Sequence, residues 1–201
     1  MLGLSTAITR AKGVGRQYIR DGLKLYMPYR GSDTTKGVQF VGTGSTTSGG
    51  NDDGMFMMAP AGDWADRPIQ LRHHSNLLYL RTADASSASI AYTETNVWRH
   101  LTCIADRPNA ELRMYLDGVL QDTDSMGQDV DFADASTYIG VYSAIQYAFT
   151  GKIKNVAIWN RALTPTEIQN VMYKSYAEVS GRLKENLMSW KALDGEVGSD
   201  G

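Results

Sequence analysis

Hydrophobic and polar residues alternate along this chain in short runs. Asp21 to Pro28 sets Leu23, Leu25 and Met27 against Lys24 and Tyr26, the period of a strand with one covered face. Further runs of β character follow at Gly37–Val41, Met55–Met58, Ile69–Arg72, Leu77–Arg81, Ala88–Thr93, Val97–Ala105, Leu112–Leu116, Thr137–Tyr142 and Lys152–Trp159. Between them lie turn-rich stretches, the longest being Gly42 to Gly54, built of Gly, Ser, Thr, Asn and Asp. Strands recurring every roughly 8–12 residues predict an antiparallel two-sheet sandwich rather than alternating β and α units. The fold class is therefore all-β with one short C-terminal helix.

That helix starts at Thr164-Pro165-Thr166-Glu167, where threonine caps, proline takes the first helical position and glutamate closes the capping box. Its apolar face is Ile168, Met172, Tyr176 and Val179, running on towards Leu183, with Gly181 as terminator. A stripe this long needs something to cover it. The predicted organisation is a basic arm over 1–20, a sandwich over 21–175, and a helical extension with a tail over 176–201.

Composition narrows the function. The 201 residues carry a net charge of -2, so nucleic acid is not an expected partner. No apolar run approaches the ~18 residues that cross a bilayer, and no signal peptide is written at the start, so membrane insertion is not expected. Cys103, the one cysteine, sits in Leu101-Thr-Cys-Ile104 as a small buried hydrophobe, and no internal disulfide is available. That weakly favours a bacterial, viral or cytosolic source. Charge is unevenly spread: Arg10, Lys12, Arg16 and Arg20 stand in a first twenty residues without acids, whereas 106–136 holds eight acids against Arg107 and Arg113. Opposite poles fit head-to-tail assembly.

Three patches stand out: Val97-Trp-Arg-His-Leu-Thr102, the Met114-Tyr-Leu-Asp-Gly118 hairpin, and Phe149-Thr-Gly-Lys-Ile-Lys-Asn-Val-Ala-Ile-Trp-Asn-Arg-Ala-Leu-Thr164 with Glu167-Ile168. Read in order, they resemble the laminin-G-like, concanavalin A-like lectin/glucanase jelly-roll family. Asp-Gly after an alternating strand is also a turn signal in its own right. The resemblance covers 97–175 well and the first half loosely; Met55–Met58 stands where the family carries a central tryptophan strand. It implies a jelly-roll sandwich and places Trp98 and Trp159 in the core.

Candidate chemistry is sparse. The six glutamates include no pair at two-residue spacing on a strand, and neither a serine elbow nor a phosphate loop occurs, so no enzyme is expected. His73 and His74 are adjacent, point to opposite sheet faces and cannot share a metal; His100 reads as structural. Calcium is the candidate cofactor, with Asp122, Asp124, Asp129 and Asp131 in an acidic loop as its ligands. Carbohydrate is the candidate ligand, stacked on Trp64, Tyr79, Tyr92, Tyr142 or Tyr147. Finally, Asp21–Gly37 and Glu185–Gly201 align without a gap, matching Leu23 with Leu187 and Tyr26 with Trp190. The tail is then the start of a second module, or a strand packed on this subunit or a neighbour. Arm, overlong helix and tail together lead to the expectation of a non-catalytic attachment module. Its place would be a virion surface, as a decoration, fibre or knob component, with homo-oligomer or particle subunits as partners. The alternative is a soluble calcium-assisted carbohydrate-binding module reading surface glycans.

Overall fold

The computed structural model describes residues 24–26, 38–40, 53–60, 69–82, 86–94, 97–126, 135–143, 146–149, 151–191 and 193. Two sheets face each other. In order across the first lie β10 (Val119–Ser125), β9 (Glu111–Leu116), β8 (Leu101–Asp106), β1 (Lys24–Tyr26), β15 (Val156–Trp159) and β16 (Leu187–Lys191). The second runs β12 (Val141–Ser143), β13 (Gln146–Ala148), β3 (Asp53–Pro60), β4 (Ile69–His74), β5 (Leu77–Arg81) and β6 (Ser87–Ala91), with β11 (Ala135–Ile139) also on β3. Nearly all pairings are antiparallel; the contact of β13 with β3 is parallel. The inward faces meet in one core that includes Phe56, Leu71, Leu78, Leu80, Ile90, Leu101, Cys103 and Met114. Cys103 is fully covered, and burial raises its thiol pKa.

Two long sequence runs are each divided between sheets. Val97–Ala105 becomes β7 (Trp98–Arg99) and β8; Lys152–Trp159 becomes β14 (Gly151–Ile153) and β15. β7 and β14 flank β2 (Val38–Phe40) in a separate three-stranded sheet, just as β8 and β15 flank β1. The division points are His100 and Asn155. Asn155 adopts a left-handed φ of 52°, a conformation asparagine tolerates and a continuous strand does not. His100 is held by the hairpin turn of the β9–β10 pair: its N–H donates to Asp117 Oδ1 at 2.9 Å, and its carbonyl accepts from the Asp117 N–H at 2.8 Å. Burial pushes the His100 imidazole down to about 3, so it stays neutral, in line with a structural role. Trp98 is only half-buried, contrary to its expected core position, because β7 leaves the large sheet.

A second core covers the outer face of the six-stranded sheet. Ile104, Tyr115, Ala157 and Trp159 project from it against Leu163, Ile168, Val171, Met172, Val179 and Trp190. Covered on both sides, every residue of β8 is buried. The expected single helix is instead three pieces: α1 (Pro165–Val171), a 3-10 turn (Tyr176–Glu178) and α2 (Arg182–Glu185). The capping box at Thr164 forms as predicted. Ser175 and Glu178 then form a second box, which restarts the chain in a new direction. Gly181, at φ 57°, precedes α2 rather than ending a long helix. The overlong stripe is thus covered within the chain. So is the tail strand, since β16 pairs with β15 and Trp190 is fully buried. Residues beyond 193, like the arm over 1–20, lie outside the described residues.

The aligned ends occupy related places. β1 and β16 both run antiparallel to β15, on its two sides, and Tyr26 and Trp190 stand in register with the same residue, Ala157.

Arg161 grips Glu167 through two bonds of 2.7 and 2.6 Å while the same carboxylate accepts the Thr164 N–H. Those bonds, Arg161 first, hold the Glu167 carboxyl at about 2, against an ordinary 4.5. A depressed carboxylate contributes stability above its unfolded value and loses it as pH falls. Glu167→Gln is therefore expected to cost about 1–2 kcal/mol at pH 7. The gap from the parent protein should narrow steadily from pH 5 to pH 2 in thermal melts. A gap that does not change with pH would contradict this assignment.

Candidate functional site

The outward face of the seven-stranded sheet follows from register and alternation. On β4, Ile69, Leu71 and His73 turn into the sandwich, so Gln70, Arg72 and His74 turn out. On β5, Leu78 and Leu80 turn in, leaving Leu77, Tyr79 and Arg81; on β6, Ser87, Ser89 and Ala91 are outward. Cross-strand pairing aligns them in rows: Met57, Gln70, Arg81 and Ser87; then Arg72, Tyr79 and Ser89; then His74, Leu77 and Ala91. Adjacent residues within a row are about 5 Å apart. The Arg72 guanidinium carbon lies 5.6 Å from the centre of the Tyr79 ring, a cation–π contact. His74 is tilted beside the same ring, with centroids 6.5 Å apart. His73 points the other way and meets the Tyr92 carbonyl at 3.3 Å, so the two histidines do diverge across the sheet.

Of the five predicted aromatic ligands, Tyr79 and Tyr92 have described side chains, and these two differ in exposure. Tyr79 is partly exposed on this face. Tyr92 is 3% exposed, and burial together with nearby Glu94 lifts its hydroxyl to about 12, so its ring is structural rather than a stacking surface. Tyr142 and Tyr147 lie on β12 and β13, and their side chains fall outside the described residues, as does the whole of Trp64.

The two acidic candidates among the described residues, Asp122 and Asp124, have other work. A bulge follows Leu120 on β10, and Asp122 beyond it reaches the edge of the facing sheet. Its Oδ2 accepts the Ser89 N–H at 2.7 Å and its Oδ1 accepts the Thr123 N–H at 2.9 Å. The carboxylate thus stitches β10 to β6 and shields an open strand edge. Asp124 Oδ1 accepts the Ser125 N–H at 2.8 Å. Asp129 and Asp131 fall outside the described residues, among which no group of three or more carboxylate, histidine or cysteine side chains could hold a metal ion. Asp122 and Asp124 therefore do not fit a calcium site by themselves.

Three described carboxylates elsewhere are paired with arginine. Arg99 bridges Glu94 and Asp117, and Arg113 meets Asp106. What the sequence reading missed on the sheet face are Gln70, Arg72, Arg81, Ser87 and Ser89. Their signal was available, since each alternates with a core residue of its own strand.

A family model for the concanavalin A-like lectin/glucanases superfamily matches residues 29–169. Among the curated proteins none matches this sequence. Three solved structures share the fold. The first is a protein assigned to carbohydrate binding from Bacteroides ovatus, at TM-score 0.60 and 16% identity, covering 87% of this chain and 46% of that one. The second is a heptameric SAP-like pentraxin from Limulus polyphemus, at 0.55 and 16%, covering 91% and 94%. The third is a sialidase from Streptococcus pneumoniae, at 0.53 and 13%, covering 75% and 24%. The chain thus spans less than half of the Bacteroides protein it resembles. The matched span, more than half of the sequence, together with the two facing antiparallel sheets, makes this chain a member of the concanavalin A-like lectin/glucanase superfamily.

Proposed function

We propose that the chain is a non-catalytic carbohydrate-binding module whose ligand lies across the outward face of β4, β5 and β6, with Tyr79 as the stacking ring. The observation that carries this reading is the Tyr79 row. An aromatic side chain, backed by Arg72 and followed by Ser89, stands partly exposed on a sheet whose opposite face is the core. An aromatic ring packs on the apolar face of a sugar, while guanidinium, amide and hydroxyl groups bond its rim. Among the described residues, the carboxylates of Glu94, Asp117 and Asp106 are each drawn to an arginine, an arrangement that favours binding over acid–base chemistry.

Attachment to a virion surface is the weaker reading. Two of its three supports, the overlong stripe and the tail strand, are taken up within this chain, leaving the basic arm. A glycan array followed by titration calorimetry tests the proposal. Tyr79→Ala is expected to weaken binding at least tenfold, about 1.4 kcal/mol, without a change in melting temperature. Unchanged affinity in that variant would move the site off this face.

A further inference from the structure

Two bends turn one tryptophan out of the sandwich. At His100 and Asn155 the long runs leave the large sheet, and β7 and β14 join β2 in the three-stranded one. The bend at Asn155 is unfavourable in itself. Its φ of 52° is left-handed, the residue is 1% exposed, and neither Oδ1 nor Nδ2 has a hydrogen-bond partner among the described residues. A cost kept at that point calls for an explanation in what the released sheet does. β7 lies at the edge of that sheet, and its Trp98 is half-buried, whereas Trp159 and Trp190 are fully covered. Trp159 donates its indole N–H to the Leu183 carbonyl; Trp98 makes no such bond and stacks on no other ring among the described residues. Register sets Gln39 across from Trp98 and Lys152 across from Gln39. One row of the small sheet therefore carries an aromatic, an amide and an amine residue, neighbours being about 5 Å apart. The Tyr79 row combines a guanidinium, an aromatic and a hydroxyl residue in the same way.

Resting on the carbohydrate-binding reading, we infer that the three-stranded sheet is a second sugar-contact surface, with Trp98 as its stacking ring. An indole presents a broad apolar face to a pyranose ring and, at its edge, an N–H that donates to a ring or hydroxyl oxygen. The protein does not engage that N–H at Trp98, so no existing bond is broken when a sugar takes it. Tyr79 and Trp98 stand on different sheets and form two sites, not two halves of one. The two-residue β7 makes the Trp98 site the smaller and weaker of them. Two such sites on one chain raise the apparent affinity for a branched or clustered glycan well above that for a single sugar.

Fluorine NMR on the whole chain, labelled with 5-fluorotryptophan, tests this without replacing any residue of the site. The four tryptophans give four resonances, and comparison with Trp98→Phe identifies that of Trp98. Lactose, maltotriose and chitotriose serve as probes. At least one is expected to shift the Trp98 resonance and to leave those of the covered Trp159 and Trp190 in place. Tyr79→Ala should keep that shift while weakening the tighter phase of binding in calorimetry at least tenfold. Trp98→Ala should abolish the weaker phase and leave affinity at the Tyr79 site within twofold. Trp98→Phe, which keeps a ring and drops the N–H, should fall between. A sugar that binds by calorimetry yet leaves the Trp98 resonance unmoved overturns the second surface and leaves the Tyr79 site intact. A Trp98 shift that vanishes in Tyr79→Ala makes the two rings one site and overturns it as well. A chain that binds none of these probes, nor any glycan on a broad array, overturns both readings.

Discussion

Trp190→Ala is expected to lower the melting temperature by roughly 10 °C, the largest effect of any single change considered. The side chain is fully buried at the edge strand β16. It meets Trp159 edge-on with centroids 6.5 Å apart, and Tyr176 on another side at 6.2 Å. Losing a buried tryptophan costs about 3–5 kcal/mol, the transfer contribution plus the cavity left behind. In a chain of this length each kcal/mol moves the midpoint by about 2–4 °C. The loss spreads, because the Trp159 indole also donates to the Leu183 carbonyl at 2.8 Å and so pins the segment leading into α2. Trp190→Phe should recover about half of the deficit by refilling most of the volume. A melting point within ~2 °C of the parent protein for the alanine variant would mean that β16 contributes little to the sheet.

The second large effect is expected at Asp117, where Asp117→Ala should destabilise by about 2–4 kcal/mol in urea melts. Four features meet there. The residue has a left-handed φ of 50° and is followed by Gly118 at 77°, the paired positive angles of a tight hairpin. Its carboxylate accepts the His100 N–H and bonds Arg99 at 2.7 Å. Alanine tolerates the angle less well and leaves a part-buried N–H without its acceptor. Asp117→Asn keeps Oδ1 and tolerates the angle, so it should cost less than half as much. Equal losses in the two variants would place the effect in the Arg99 ion pair and not in the turn.

Legibility in the sequence followed the locality of the cause. The hairpin at Asp117-Gly118, the capping box at Thr164 and the alternation of β4 and β5 are set by residues a few positions apart, and all three take the expected form. The sandwich was readable for the same reason, as a succession of short alternating runs. The failures are non-local. Trp98 leaves the core because β7 pairs with β2, a partner some sixty residues away. Tyr92 was the exception, since it keeps the inward phase of Ala88 and Ile90, and it packs beside His73 of another strand with ring centroids 6.4 Å apart. Asp122 looked like an ion ligand in an acidic loop, and its use became visible only once β6 lay beside β10. The helix was misjudged because an apolar stripe of helical period also suits two short helical segments that turn over one buried patch. The rival capping residues Ser175 and Glu178 settle which of the two forms.

The position of β1 has a kinetic consequence. This three-residue strand lies between β8 and β15, so it joins the beginning of the sequence to segments a hundred or so residues further on. Contacts that remote form slowly, since the loop they close must be ordered before any of its energy is returned. On the ribosome the six-stranded sheet cannot be completed until β15 and β16 have emerged. Until then, the face that Trp159 and Trp190 later cover stays open to other chains and to chaperones.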